Sequence, residues 1–146
     1  MSRIELRTSV GYALKQAATA LRLAMEAELR PLGMTVTHYS CLELLAQRPG
    51  LSTSELARGA FVTRQSMNVL LQTLERDGDV TRPAEDRVGK VLPTRLTARG
   101  RERLAAATVA VRAVEMRMLA GLSVAEQSAA GEILRGMISS LRDPAR

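Results

Sequence analysis

Residues 51–78 read LSTSELARGAFVTRQSMNVLLQTLERDG and carry the start and stop signals of two successive helices. Ser52 with Glu55 three residues later is a capping box, which predicts the start of a short helix. Thr63 can cap a second, longer helix, and Gly78 can end it because glycine readily adopts the left-handed conformation that follows many helices. The stretch therefore predicts a short helix, a turn and a longer helix.

The longer helix has two different faces. Its apolar residues recur at helical spacing, as expected for a side that packs on a core: Met67, Leu70, Leu71 and Leu74. Its opposite side carries hydrogen-bonding residues over the first turns: Arg64, Gln65, Asn68 and Gln72. Without further context such a polar face is usually solvated surface, so its neighbours in the chain decide its interpretation.

The hydrophobic period changes after Gly78. Val80–Arg82 and Val91–Leu96 predict two short strands around a charged loop. Pro83 and Pro93 cannot donate a backbone hydrogen bond, so both strands are expected at exposed edges. A charged hairpin that follows a polar helix is typical of a wing.

Long helices are predicted on both sides of this module. One runs from Leu6 to Leu29, one from the cap Thr97 to about Ala120, and the last opens at the capping box of Ser123 and Glu126. A further helix, capped by Thr35, precedes the short one. Each helix is expected to carry apolar residues along one stripe or buried side, and those of the last helix are expected to point inward. In chain order these residues are Leu6, Val10, Leu14, Ala17, Leu21 and Met25 on the first helix; Tyr39, Leu42, Leu45 and Ala46 on the helix capped by Thr35; Leu104, Val111, Val114 and Met118 on the helix capped by Thr97; and Ile133, Leu134, Met137, Ile138 and Leu141 on the last helix.

Composition narrows the class of protein. The 146 residues suit one domain, and the 2% of aromatic residues favours a helical core of Leu, Ala, Val and Met. With one histidine and one cysteine, neither a His/Cys zinc site nor an intrachain disulfide can form, and no catalytic constellation is visible. We therefore expect a protein that is not an enzyme, has no metal or cofactor, does not enter a membrane and is cytoplasmic.

Three segments resemble the MarR family of transcription regulators. Leu51–Ala57 is similar to the family's scaffold helix, Val62–Gly78 to its recognition helix with the Leu-Glu-x-x-Gly ending, and Leu96–Gly100 to the Leu-Thr-x-x-Gly opening of the helix after the wing. The resemblance extends from about Leu6 to Leu141. Two places depart from the family pattern, because Asp79 stands where an apolar residue is usual, and Val88 and Lys90 stand where the wing commonly has Asp-x-Arg.

The resemblance implies a mainly α single domain, 1–146, with a small β-hairpin wing. Residues 35–96 would form a winged helix-turn-helix module, and residues 6–30 and 97–141 would form flanking dimerisation helices. It implies a homodimeric repressor that binds double-stranded DNA at a pseudo-palindromic operator and is released by a small-molecule effector.

The physical case for DNA rests on the longer helix. The major groove admits one α-helix, and planar side chains with several donors and acceptors can distinguish base edges there. Residues expected to read or contact DNA from this helix are Thr63, Arg64, Gln65, Ser66, Asn68 and Gln72. Residues expected at the phosphates or the minor groove are Ser52 and Ser54 on the short helix, and Arg82, Arg87 and Lys90 on the wing.

Two alternatives remain at this stage. One is a helical dimer that uses the winged module for protein contact, which predicts an apolar outer face on the longer helix. The other is a redox sensor acting through Cys41, although an inert buried thiol is the simpler interpretation. His38, Tyr39 and Cys41 are candidates for an effector pocket, with His38 otherwise expected as a surface or capping imidazole.

Overall fold

The computed structural model describes residues 2–82 and 94–143. Residues 83–93, with Pro83, Arg87, Val88, Lys90 and Pro93 of the predicted wing, lie outside them. The described elements are α1 (Val10–Leu29), a 3₁₀ turn (Arg30–Leu32), α2 (Val36–Gln47), α3 (Thr53–Gly59), α4 (Arg64–Arg76), β1 (Val80–Thr81), β2 (Arg95–Leu96), α5 (Ala98–Leu119) and α6 (Val124–Arg142). The predicted mainly helical fold with a small antiparallel strand pair is confirmed.

The helix starts follow the capping residues. At α3 the Ser52 hydroxyl accepts from the Glu55 N–H at 3.1 Å, and the Ser52 N–H donates to the Glu55 carboxylate at 3.0 Å. The capping box at the start of α6 forms in the same way. The predicted start of α1 at Leu6 is wrong, because the Ser9 hydroxyl caps that helix and α1 begins at Val10.

The core lies among the end of α1 and helices α2 to α5. Its fully buried side chains include Leu29, Leu42, Leu56, Met67, Leu71, Leu74 and Val80. The buried side of α2 is displaced by one position from the predicted one, since His38, Cys41, Leu42 and Leu45 are buried. Tyr39 is only half-buried and Ala46 is exposed, so that part of the prediction is wrong.

The end of α4 is held against the start of α5. Val80 pairs with Leu96 in the antiparallel ladder of β1 and β2. The Thr97 hydroxyl donates to the Gly78 carbonyl at 2.6 Å, and the Thr97 N–H donates to the Asp79 carbonyl at 3.0 Å. A Cβ atom on Gly100 would lie 2.1 Å from that same Asp79 oxygen, so the two elements approach at a distance that only glycine allows.

Helix α6 contributes no buried residue to the single chain. The expectation that its apolar stripe points inward is therefore wrong within one protomer: Ile133, Leu134, Ile138 and Leu141 are exposed, and Met137 is half-buried. Met118 of α5 is exposed as well. Among the residues that the structure describes, no helix combines the length and apolar character needed to cross a membrane.

Candidate nucleic-acid interface

The polar face of α4 is exposed. Arg64, Gln65, Asn68 and Gln72 are all open to solvent, while the opposite face packs into the core through Met67, Leu71 and Leu74. This amphipathic division fixes which side of the helix points outward, because turning α4 would bury charged and amide groups. The residue types predicted to read DNA therefore lie together on one accessible surface.

The N-terminus of α4 is closed by Thr63. Its hydroxyl oxygen accepts from the Ser66 N–H at 3.0 Å, and its hydroxyl proton is donated to the Ser66 oxygen at 2.9 Å. Ser66 is exposed, and its own hydroxyl proton points to no described partner. Thr63 thus acts first as a cap, and Ser66 is the better placed of the two to donate outward.

The N-terminus of α3 already holds a negative charge. Hydrogen bonds with the backbone N–H and the hydroxyl group of Ser52 lower the pKa of Glu55, so its carboxylate is charged at neutral pH. The hydroxyl oxygen of Ser52 is used as the cap, and Ser54 is half-buried in the first turn of α3. The capping box predicted from the sequence therefore also holds the charged Glu55 carboxylate at the first turn of α3.

Arg82 is brought to the middle of α4. Its Nη2 donates to Oδ1 of Asn68 at 3.1 Å, and its backbone N–H donates to Oε2 of Glu75 at 3.2 Å. Sequence reasoning placed Arg82 on the wing as a source of positive charge. The contact with Asn68 could not be read from the sequence, because it depends on how the chain turns back after Gly78.

A shallow groove of about 570 Å³ lies between the start of α3, the polar face of α4 and Arg82. Thr53, Arg64, Gln65, Asn68 and Arg82 line it. Thr53, at the first position of α3, was not predicted to belong to the site, although its place beside the Ser52 cap was a usable signal. Arg87 and Lys90, the other predicted wing contacts, lie outside the described residues.

A buried charge network lies directly behind this surface. The Asp79 side chain has 0% exposure, and its Oδ2 accepts a hydrogen bond from Nη1 of Arg103 on α5. Arg99 Nε is 3.4 Å from Oδ1 of Asp79, and His38 Nε2 is 3.4 Å from Oδ2. Asp79 is the position at which the sequence departs from the apolar residue usual in the family, and buried arginine pairing explains how a carboxylate is tolerated there.

The network also reaches the corner between α1 and α2. Nη2 of Arg103 lies 3.5 Å from the carbonyl oxygens of Leu32 and Gly33. One side chain on α5 therefore links the residue that follows α4 to the residues that precede α2. This arrangement ties the turn that follows α4 to α5 and to the corner before α2.

His38 is buried, so the expectation of a surface imidazole is wrong. Its backbone N–H donates to the hydroxyl oxygen of Thr35, the residue that caps α2. Burial lowers the pKa of His38, and the Arg103 charge lowers it further, while the Asp79 charge acts in the opposite direction. We therefore expect His38 to be neutral near pH 7 in the folded protein.

The other two candidates for an effector pocket differ in access. Cys41 has 0% exposure and burial raises the pKa of its thiol to about 12, which confirms the interpretation as a buried thiol. Tyr39 is half-buried on α2, and burial followed by the Glu43 charge raises its pKa to about 12. Of the three, Tyr39 is the one that is not buried.

Comparison with known proteins agrees with this geometry. Residues 32–90 match the family model described as MarR family. The HTH-type transcriptional repressor Rv2887 of Mycobacterium tuberculosis is 47% identical over 118 residues, which are 81% of this chain and 85% of that protein. Crystal structures of Rv2887 in complex with salicylic acid (TM-score 0.75, 43% identity, 89% of this chain and 96% of that chain) and with DNA (TM-score 0.74, 42% identity, 89% and 98%) share the fold. The chain has the element order of a winged helix-turn-helix protein and is similar over most of its length to a transcriptional repressor. It therefore belongs to the MarR family of transcription regulators.

Proposed function

We propose that the chain is a homodimeric repressor that reads a specific sequence in duplex DNA with α4. The observation that carries this proposal is the exposed Arg64, Gln65, Asn68 and Gln72 face, joined by Arg82 and backed by a buried core. In this role α4 lies in the major groove, where arginine donates to guanine and amide side chains contact base edges.

Phosphate contacts are proposed around this helix. Ser66 and the Ser54 hydroxyl can each donate a hydrogen bond, and Ser52 keeps its hydroxyl proton although its oxygen is a cap. Arg82, Arg87 and Lys90 would supply positive charge from the wing. Because the Glu55 carboxylate repels a phosphate at the start of α3, we assign the larger electrostatic share to the arginines.

Dimerisation follows from the exposed apolar side chains of the long helices. Val10 and Leu14 on α1, Met116 and Met118 on α5, and Ile133 and Ile138 on α6 are all exposed in the single chain. A monomer rarely leaves so many large apolar side chains open to water along its long helices. We therefore propose residues 6–30 and 97–141 as the dimer base and residues 35–96 as the reading module, so that a two-fold axis predicts a pseudo-palindromic operator.

Release by a small aromatic acid is proposed by similarity to Rv2887, which has been crystallised with salicylic acid and with p-aminosalicylic acid. A ligand that binds better to one spacing of the two reading modules shifts the population away from the DNA-bound spacing. Among the predicted contacts His38, Tyr39 and Cys41, only Tyr39 is accessible without rearrangement of the core. The burial of Cys41 speaks against thiol sensing as the route of release.

Other functions are less well supported. A protein-contact module needs an apolar outer face on α4, whereas that face carries arginine and amide groups. We propose regulation rather than catalysis as the whole role of the chain, and the cytoplasm as its place of action because its proposed partner is the chromosome.

The test is DNA binding by fluorescence anisotropy over a salt series. The probes are the duplex upstream of the protein's own gene, the duplex with which Rv2887 was crystallised, and a scrambled duplex of equal length. We expect the specific duplex to bind about a thousandfold more tightly than the scrambled one at physiological salt. Asn68→Ala should erode this preference, and Arg87→Ala should mainly reduce the salt slope by about one.

Each alternative outcome has a definite meaning. Equal affinity for all duplexes with a steep salt dependence would show a phosphate contribution without sequence reading. No binding at low salt would contradict the proposed function and favour the protein-contact module. Loss of binding on addition of salicylic acid would support the proposed mode of release.

A further inference from the structure

The side chains of Arg82 and Asn68 meet on the exposed face of α4. Nη2 of Arg82 donates to Oδ1 of Asn68 at 3.1 Å, and the two residues are 14 positions apart in the chain. The backbone of Arg82 is held to the same helix, since its N–H donates to the Glu75 carboxylate at 3.2 Å. Two contacts with α4 therefore bring the guanidinium to the amide of Asn68.

This hydrogen bond changes what Asn68 can offer to a base. An amide side chain has one oxygen that accepts and one nitrogen that donates. A bidentate contact with adenine uses both, because the oxygen must accept from N6 while the nitrogen donates to N7. The Arg82 guanidinium takes one of the two lone pairs of that oxygen, and its positive charge disfavours the approach of a second N–H donor to the other.

The groups of Arg82 and Asn68 that remain available to contact a base are mainly hydrogen-bond donors. Asn68 keeps its Nδ2 hydrogens, and Arg82 keeps the N–H groups that do not point to Asn68. In the major groove, guanine presents two acceptors, O6 and N7, whereas adenine presents one acceptor and one donor. A donor-only pair is complementary to guanine and mismatched with the N6 group of adenine.

We infer that Arg82 sets the base specificity of Asn68, so that the pair selects guanine where Asn68 alone would select adenine. The inference rests on the proposed function, because it requires α4 to lie in the major groove. Arg82 is then a positioning residue for Asn68 in addition to supplying positive charge near the phosphates, and only the contact with Asn68 carries sequence information.

The experiment is selection from a pool of random duplexes, followed by sequencing of the bound fraction. The proteins are the wild type, Asn68→Ala, Arg82→Ala, Arg82→Lys and the control Arg76→Ala, which removes the same charge from the last turn of α4. The position whose preference collapses in Asn68→Ala is the one that residue 68 reads. Far-UV circular dichroism checks each variant, and all are expected to fold because Asn68 and Arg76 are exposed and Arg82 is only half-buried.

We expect the wild type to enrich guanine at that position and Arg82→Ala to shift the ratio of guanine to adenine at least about tenfold toward adenine. Arg82→Lys should retain guanine, because an ammonium group can donate to the same amide oxygen. Arg76→Ala should leave the selected sequence unchanged.

Three results would overturn the inference alone. They are an unchanged base preference in Arg82→Ala with weaker binding to every sequence, an adenine preference in the wild type, and no position that responds to Asn68→Ala. If the wild type enriches no sequence at all, the proposed function fails and this inference fails with it.

Discussion

Asp79 shows how a single residue joins the end of α4 to the rest of the protein. It follows α4 and Gly78 directly, its backbone carbonyl accepts from Thr97, and its buried carboxylate is paired with Arg103. Water cannot reach a side chain with 0% exposure, so the carboxylate depends on its protein neighbours, among which Arg103 donates a hydrogen bond to it. The stability of the junction between α4 and α5 should therefore depend on this ion pair.

Asp79→Ala is expected to lower the free energy of unfolding by about 3–5 kcal/mol, because it leaves the largely buried Arg103 charge without its partner. Urea unfolding followed by circular dichroism at one fixed protein concentration measures the change. Glu5→Ala is the matched control, since the Glu5–Arg7 pair is exposed and should contribute little. Equal effects of the two substitutions would show that burial of Asp79 does not determine the cost.

His38 predicts a pH dependence of stability. Its pKa is lowered in the folded protein, so the unfolded chain binds more protons between that lowered pKa and the ordinary histidine pKa of 6.5. Stability should thus be complete above about pH 6.5 and should fall as the pH decreases below it, with a slope of at most about 1.4 kcal/mol per pH unit for one proton.

Unfolding curves at intervals from pH 7.5 to pH 5.5 test this dependence. In His38→Gln the slope contributed by this imidazole should disappear, whatever the variant's absolute stability. A slope that is the same in the wild type and in His38→Gln would assign the pH dependence to other groups.

At the scale of the elements, the close approach of α5 to the residue after α4 fixes how these two helices meet. Gly100→Ala would place a Cβ atom 2.1 Å from the Asp79 carbonyl oxygen, so the start of α5 would have to move away. We expect a loss of stability of about 3 kcal/mol or more, at the upper end of the roughly 1–3 kcal/mol typical of an overpacked site. Gly11→Ala, whose Cβ meets only the Ser9 side chain at 3.8 Å, should be neutral or slightly stabilising, and thermal melting compares the two.

The elements were largely predictable because their signals are local. Capping at Thr35, Ser52, Thr63, Thr97 and Ser123 depends on residues within three positions, and the structure has a helix after each. The exposed face of α4 was predictable for the same reason.

What could not be predicted depends on contacts between distant residues. His38 on α2, Asp79 in the turn after α4 and Arg103 on α5 are far apart in the chain, and nothing in their local sequence indicates that an imidazole, a carboxylate and a guanidinium share one buried site. The contact of Arg82 with Asn68 is of the same kind. The prediction that the stripe of α6 points inward is wrong for a single chain. Hydrophobic periodicity shows which side of a helix is apolar, but it does not show whether the surface that covers that side belongs to the same chain.

At the scale of the whole molecule, folding of the single chain and assembly of the dimer depend on different surfaces, because the apolar stripe of α6 is exposed. The buried core lies in the end of α1, in α2 to α5 and in β1, and α6 contributes no buried residue to it. A charge introduced on the stripe should therefore disrupt association of two protomers while leaving the core of each intact.

Ile138→Asp tests this separation. It is expected to convert a dimer to a monomer in sedimentation velocity, to keep a helical circular dichroism spectrum, and to weaken binding to a two-half-site duplex by at least about a hundredfold, because the second half-site no longer binds intramolecularly. Phe61→Asp is the matched control for oligomeric state, since it places the same charge on an apolar residue that is 88% exposed but lies in the turn before α4. That control should remain a dimer. A dimeric Ile138→Asp protein would place the interface elsewhere, and an unfolded one would show that α6 stabilises the module within a single chain.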